Sequence, residues 1–177
     1  AMKEPLNEHI HVALADHIAF TLERLKMGLE IANPFMEEIK ALYPAEYELA
    51  CKAAKMIEEK FQIEIPDGEK GFIAMHFHSA RANRELSKTV KITSMINKMI
   101  EIIEQELQMK LERKNLNYAR LTIHLRFTLD RIETGTFIKN PLLNRIEKEF
   151  ASSYKIAQKI AKYIYEKTGK APSKDEL

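Results

Sequence analysis

Apolar residues recur at helical spacing along most of this chain. Between Leu6 and Leu29 they fall at Ile10, Leu14, Ile18, Leu22, Leu25 and Leu29. Steps of three and four residues put them on one stripe, which predicts an amphipathic helix. Gly28 weakens its end. Asn33-Pro34 reads as an N-cap followed by proline in the first helical turn, and opens a short helix over 35–42. Pro44 starts another, with Tyr47, Ala50, Cys51, Ala54 and Ile57 on its apolar side. Ile63-Glu64-Ile65 alternates, and Pro66-Asp67-Gly68 turns the chain. Gly71 to Ala80 is apolar on nearly every side, which predicts a central, buried helix. Asn83 to Lys91 is charged, shows no apolar period, and reads as a partly helical connection between domains. Met95, Met99, Ile102, Ile103 and Leu107 restore the helical period, and Leu116 begins a further long helix.

That further helix repeats the first one. His17, Phe20, Thr21, Leu22 and Arg24 return as His124, Phe127, Thr128, Leu129 and Arg131, always 107 residues on. Gly28, Ile31, Asn33 and Pro34 return as Gly135, Ile138, Asn140 and Pro141. Without a gap, residues 17–60 match 124–167 at 18 of 44 positions. A self-match of this length marks two copies of one folded unit. The boundaries expected are a first domain over 3–84, a linker over 85–92 and a second domain over 93–177. The counterpart of His76 falls six residues past Leu177, so the second unit is expected to be C-terminally incomplete, lacking its last helix.

Composition narrows the function. The net charge of +2 over 177 residues, with no basic tail, does not suggest direct nucleic-acid binding by this stretch. One cysteine, Cys51, excludes an internal disulfide and fits a reducing cytosol. No apolar run is long enough to span a membrane. Ala1-Met2 reads as a cloning scar on an excised fragment.

The candidate chemistry lies in the six histidines: His9, His11, His17, His76, His78 and His124. Ala13, His17, Phe20 and Arg24 share one helix face, and His124, Phe127 and Arg131 repeat it. Arg24 stands two helical turns from His17, within reach of an anion held there. Asp16 precedes His17 and is a candidate to orient its ring. His76 is predicted to be buried, where an imidazole needs a polar partner, and His17 is the candidate. Metal binding fits poorly, because the i, i+2 pairs His9/His11 and His76/His78 diverge around a helix. Acid–base catalysis lacks a surrounding set of polar groups. Phosphoryl acceptance requires only a neutral, accessible imidazole with donors nearby. The bland alternative is that these histidines only pack, or hold an ion, in a dimerisation module. His9, His11 and His78 are adequately explained as residues of solvated helix faces.

The residues from Leu6 to Phe20 resemble the opening of the first PTS-regulation domain (PRD) of bacterial transcriptional antiterminators, closest to the glucose-type branch. Gly71-Phe72-Ile73-Ala74-Met75-His76 resembles that domain's second histidine motif, and His124, Phe127 and Arg131 resemble the first motif of the second domain. The resemblance implies an all-α fold of two tandem five-helix bundles, the second lacking its last helix here. It implies a homodimer; the residues themselves point to a cytoplasmic module that is not an enzyme and uses neither metal nor cofactor. It further implies phosphorylation of His17, His76 and His124 by a sugar permease component (EIIB-type) of the phosphotransferase system or by its histidine phosphocarrier. Asp16, Arg24 and Arg131 are the expected supports of the phosphate sites. RNA binding would belong to an N-terminal domain outside this sequence, and a DNA-binding activator carrying the same domains is the related alternative.

Overall fold

The computed structural model describes residues 6–8 and 10–176. His9 and the Ala1-Met2 start lie outside the described residues. Among the described residues the regular structure is helical, without a strand: α1 (Ile10–Lys26), α2 (Met36–Leu42), α3 (Pro44–Phe61), α4 (Asp67–Arg81), α5 (Leu86–Leu107), α6 (Leu116–Thr134), α7 (Leu143–Glu149), α8 (Ala151–Thr168) and a last 3-10 turn, Lys174–Glu176. The chain divides after Thr93 into two compact units, so α5 begins in the first unit and ends in the second.

In the first unit α4 packs chiefly against α3, and also against α1 and α2. Ile39, Ala50, Ala74 and Met75 are wholly buried there, with Tyr43 and Ile73 almost so. Sealing a side chain such as Ile39 or Met75 from water contributes about 1.5–3 kcal/mol. The predicted central helix is thus α4, whose His76, Ser79 and Glu69 are buried along with its apolar residues. The expected stripe of α1 is cut short at its end. Gly28 adopts φ of 73°, the Leu29 amide bonds back to the Arg24 carbonyl, and Leu29 lies exposed outside the helix. Asn33 does not cap α2 directly. Its Oδ1 accepts from the Phe35 amide at 2.9 Å, a local turn that leaves Pro34 ahead of the helix, which begins at Met36. Pro44 does stand in the first turn of α3.

The stretch read as a connection is helical from Leu86. Thr89 and Thr93 are buried in it. Their hydroxyls are satisfied, Ser79 Oγ donating to Thr89 Oγ1 at 2.8 Å and Thr93 Oγ1 donating to the Thr89 carbonyl at 2.9 Å.

The second unit repeats the first three helices as α6, α7 and α8. Ile96, Met99 and Ile100 of α5 are fully buried, as nearly are Tyr118, Leu129, Ile132 and Ile164. Asn115 caps α6 by accepting from the Tyr118 amide. Gly135 and Gly169, both left-handed, end α6 and α8. Glu104, nearly inaccessible, gathers the loop after α5 by accepting from Lys110 Nζ, the Leu111 amide and Arg113 Nη2.

Candidate functional site

His17 is carried by α1 and His76 by α4, and the packing of the two helices brings the rings together. Their centroids are 4.9 Å apart and tilted by 41°, and Phe72 meets His17 edge-on at 6.0 Å. His76 is 8% exposed. Burial, with the His17 imidazole beside it, pushes His76 down to about 4, so its ring is neutral at neutral pH. It also borders a cavity of about 330 Å³ shared with Ile10, Ala13, Ser79 and Asn83, which leaves this nearly buried ring a route to solvent.

The floor of the site is a carboxylate. Glu69, from the first turn of α4, is 1% exposed. Its Oε1 accepts from Arg24 Nη2 at 2.6 Å and its Oε2 from Thr21 Oγ1 at 2.9 Å. His17 Nε2 lies 3.4 Å from Oε2, buried but without the alignment of a hydrogen bond. Burial pushes the Glu69 carboxyl up. The imidazole, the Arg24 and Thr21 hydrogen bonds and the Arg24 charge outweigh it and hold the group below the usual carboxylate range. Two glycines let Glu69 come this low. A Cβ on Gly68 would stand 2.7 Å from the Ile31 carbonyl oxygen, and one on Gly71 would stand 2.6 Å from Met36 Sδ.

Arg24 is accordingly a buried residue. Besides Glu69 it donates from Nη1 to the Leu29 carbonyl at 2.7 Å, while its Nε is buried with no partner. Its guanidinium lies 6.0 Å from the centre of the exposed Phe20 ring. Asp16 does not join this cluster. It is exposed on α1, and its side chain makes no hydrogen bond or ion pair with the other described residues.

The second unit rebuilds the carboxylate pair. Arg131 donates from Nη2 to Glu176 Oε2 at 2.6 Å and from Nε to both oxygens at 2.9 and 3.0 Å. Arg131 Nη2 also reaches Thr128 Oγ1 at 3.2 Å. The Arg131 hydrogen bonds hold the Glu176 carboxyl low against burial, and the Ile138 amide and the Arg131 charge add to this. His124 is exposed and borders a cavity of about 270 Å³ walled by α5, α6 and α8.

Glu69 and Glu176 are the residues that sequence reading missed. They stand 107 residues apart, so the repeat register extends to them. The signal is one identity after eight mismatched positions, easily passed over. Thr21 and Thr128 were visible in the repeat, but their role was not.

His78 corrects the expectation of a solvated residue. Its Nδ1 lies 3.0 Å from Glu46 Oε1, and its ring stacks on Tyr43 at 3.9 Å. Arg81 Nη2 holds the same carboxylate at 2.8 Å. Desolvation opposes, but the His78 bond and the Arg81 charge prevail and keep Glu46 low. This buried cluster ties the start of α3 to the end of α4. His11 is exposed. No group of three metal-ligating side chains occurs among the described residues, nor any helix long and apolar enough to cross a membrane.

Residues 1–80 and 97–177 each match the PRD domain family. The chain belongs to that family, in two tandem copies. Named relatives match most of the chain. The "PtsGHI operon antiterminator" of Bacillus subtilis (strain 168) is 43% identical over 156 residues, 87% of this chain and 55% of that protein. "Transcription antiterminator LicT" of the same organism is 31% identical over 175 residues, 97% and 63% respectively. The "GlcA/glcB genes antiterminator" of Staphylococcus carnosus (strain TM300) is 32% identical over 161 residues, 90% and 56%. All three names are those of regulators rather than enzymes, and the PRD pair spans between 55% and 63% of each relative's length.

Proposed function

We propose that this PRD pair is the phosphorylation-controlled regulatory part of a transcriptional antiterminator, of the glucose-type branch. His17 and His76 are the acceptors in the first unit and His124 in the second. The donors are an EIIB-type sugar permease component and the histidine phosphocarrier of the phosphotransferase system. In each transfer an N–P bond forms at an unprotonated imidazole nitrogen as the donor's S–P or N–P bond breaks. The added charge, close to two units at neutral pH, shifts a cytoplasmic homodimer and thereby RNA binding by a domain outside this sequence.

The observation that carries this reading is the His17–His76 pair. One ring is kept neutral by burial and the other stands beside a guanidinium and a threonine hydroxyl already gathered around a carboxylate. A neutral imidazole with donors at hand is what a phosphoryl acceptor needs. The relatives' names support the output, since each is an antiterminator. Incubating the protein with purified phosphotransferase components and labelled phosphoenolpyruvate tests it. Acid-labile label on His17 or His76 is expected, and its absence from both overturns the assignment for the first unit. Unchanged sugar control with lost stability in a His17→Ala, His76→Ala double variant favours the packing alternative.

A further inference from the structure

Around His17 a single carboxylate and a single guanidinium are sealed together. The Glu69 side chain is 1% exposed and that of Arg24 9%. Two nitrogens at this spot, His17 Nε2 and Arg24 Nε, are buried without a hydrogen-bond partner. Leaving such groups unpaired is unfavourable, and here they flank one anion with capacity for another. A phosphoryl group on His17 would bring its charge next to a carboxylate that has one guanidinium to share.

Taking His17 as the acceptor proposed above, we propose that Glu69 is the built-in counter-anion that the phosphoryl group displaces from Arg24. Arg24 turns from the carboxylate to the phosphoryl oxygens, its spare Nε–H supplying a ready donor, and the Thr21 hydroxyl follows. Glu69 is then a buried carboxylate without its cation, a costly state that is relieved by moving outward. Because Glu69 sits in the first turn of α4, that turn loses its tie to α1. The turn after α1 is affected too, since Arg24 also holds the Leu29 carbonyl. Glu69 is therefore a positioning residue. It acts through Arg24 and converts charge at His17 into a loosened α1–α4 contact. Arg131 in the second unit has no spare Nε, both oxygens of Glu176 being bonded to it, so the exchange is assigned to the first unit.

Hydrogen exchange on the whole chain, read over residues 29–33 and 67–72, tests this. His17→Asp and His17→Asn are nearly equal in size and differ in charge. His17→Asp is expected to raise exchange in 67–72 by at least about tenfold over His17→Asn, because local opening follows the lost ion pair. Glu69→Gln is expected to abolish that difference, and to let wild-type-like His17 take up phosphoryl label about tenfold faster by removing a like charge. Equal exchange in His17→Asp and His17→Asn overturns the proposal even where Glu69→Gln fails to fold. An undiminished difference in the Glu69→Gln background overturns it as well. Absence of label on wild-type His17, with the charge-dependent difference intact, overturns the acceptor assignment and leaves the role of Glu69 supported.

Discussion

His17 and His124 occupy the same step of one repeated helix, and their surroundings differ in an informative way. Both stand near an arginine–glutamate pair 2.6 Å in length, one helical stretch further on. In the first unit the glutamate opens a full helix, α4. In the second it closes a single 3-10 turn. The arginine–glutamate pair thus recurs in both copies of the repeat. In the first unit α4 brings a second imidazole and apolar residues to the site. Leu14, Leu49, Ala53 and Ile57 pack into the first unit's core beside Ile73 and Phe77, and their counterparts Leu121, Ile156, Ile160 and Ile164 line the cavity beside His124. His17 shares its site with a neutral, buried neighbour, and His124 is exposed beside its arginine–glutamate pair.

The two arginines break this comparison most strongly. Arg24→Ala strands the wholly buried Glu69 and is expected to destabilise the first unit by about 3–5 kcal/mol. Glu176 is nearly as buried as Glu69, its side chain 2% exposed, but Arg131 is 22% exposed and Glu176 keeps the Ile138 amide, so Arg131→Ala should cost less, about 2 kcal/mol. Urea unfolding of both variants by circular dichroism checks this, and equal losses would erase the distinction.

Acid should next separate the two units. His76 falls from 6.5 to about 4 on folding, so the unfolded chain takes up its proton first. Its contribution is complete above pH 6.5 and is lost as pH drops toward 4, by up to about 3 kcal/mol. His76→Asn should flatten unfolding free energy across that window, and a slope that survives the substitution would assign it elsewhere.

Gly68→Ala places a methyl 2.7 Å from the Ile31 carbonyl and should cost about 1–3 kcal/mol through overpacking. At the equivalent position Asp175 accepts from the Asn140 amide at 3.1 Å, and Asp175→Ala should cost about 1 kcal/mol. Smallest of all, the exposed Asp16 should tolerate Asp16→Asn within about 0.5 kcal/mol and without change in phosphoryl uptake. A clear loss of uptake would restore Asp16 to the site.

The long helices and the His17–His76 encounter were legible because each follows from a local pattern and from the need of a buried imidazole for company. The carboxylate floor was not. Arg24 and Glu69 are 45 residues apart, and nothing in the local sequence of α1 specifies which anion its arginine will meet. The start of α5 was hidden for another reason. Its inward face is Leu86, Thr89, Val90 and Thr93 at helical spacing. Two of the four are threonines whose hydroxyls are satisfied inside the unit, so a reading confined to apolar residues finds no stripe. His78 escaped because its partners, Glu46 and Tyr43, come from another part of the chain.

Site-resolved mass spectrometry of the chain after reaction with phosphotransferase components and phosphoenolpyruvate, kept at alkaline pH, bears most directly on the central assignment. Phosphohistidine at His17 or His76, lost from each in its own alanine variant, is the result predicted. Phosphate confined to histidines outside this pair, or retained in the double variant, would contradict it.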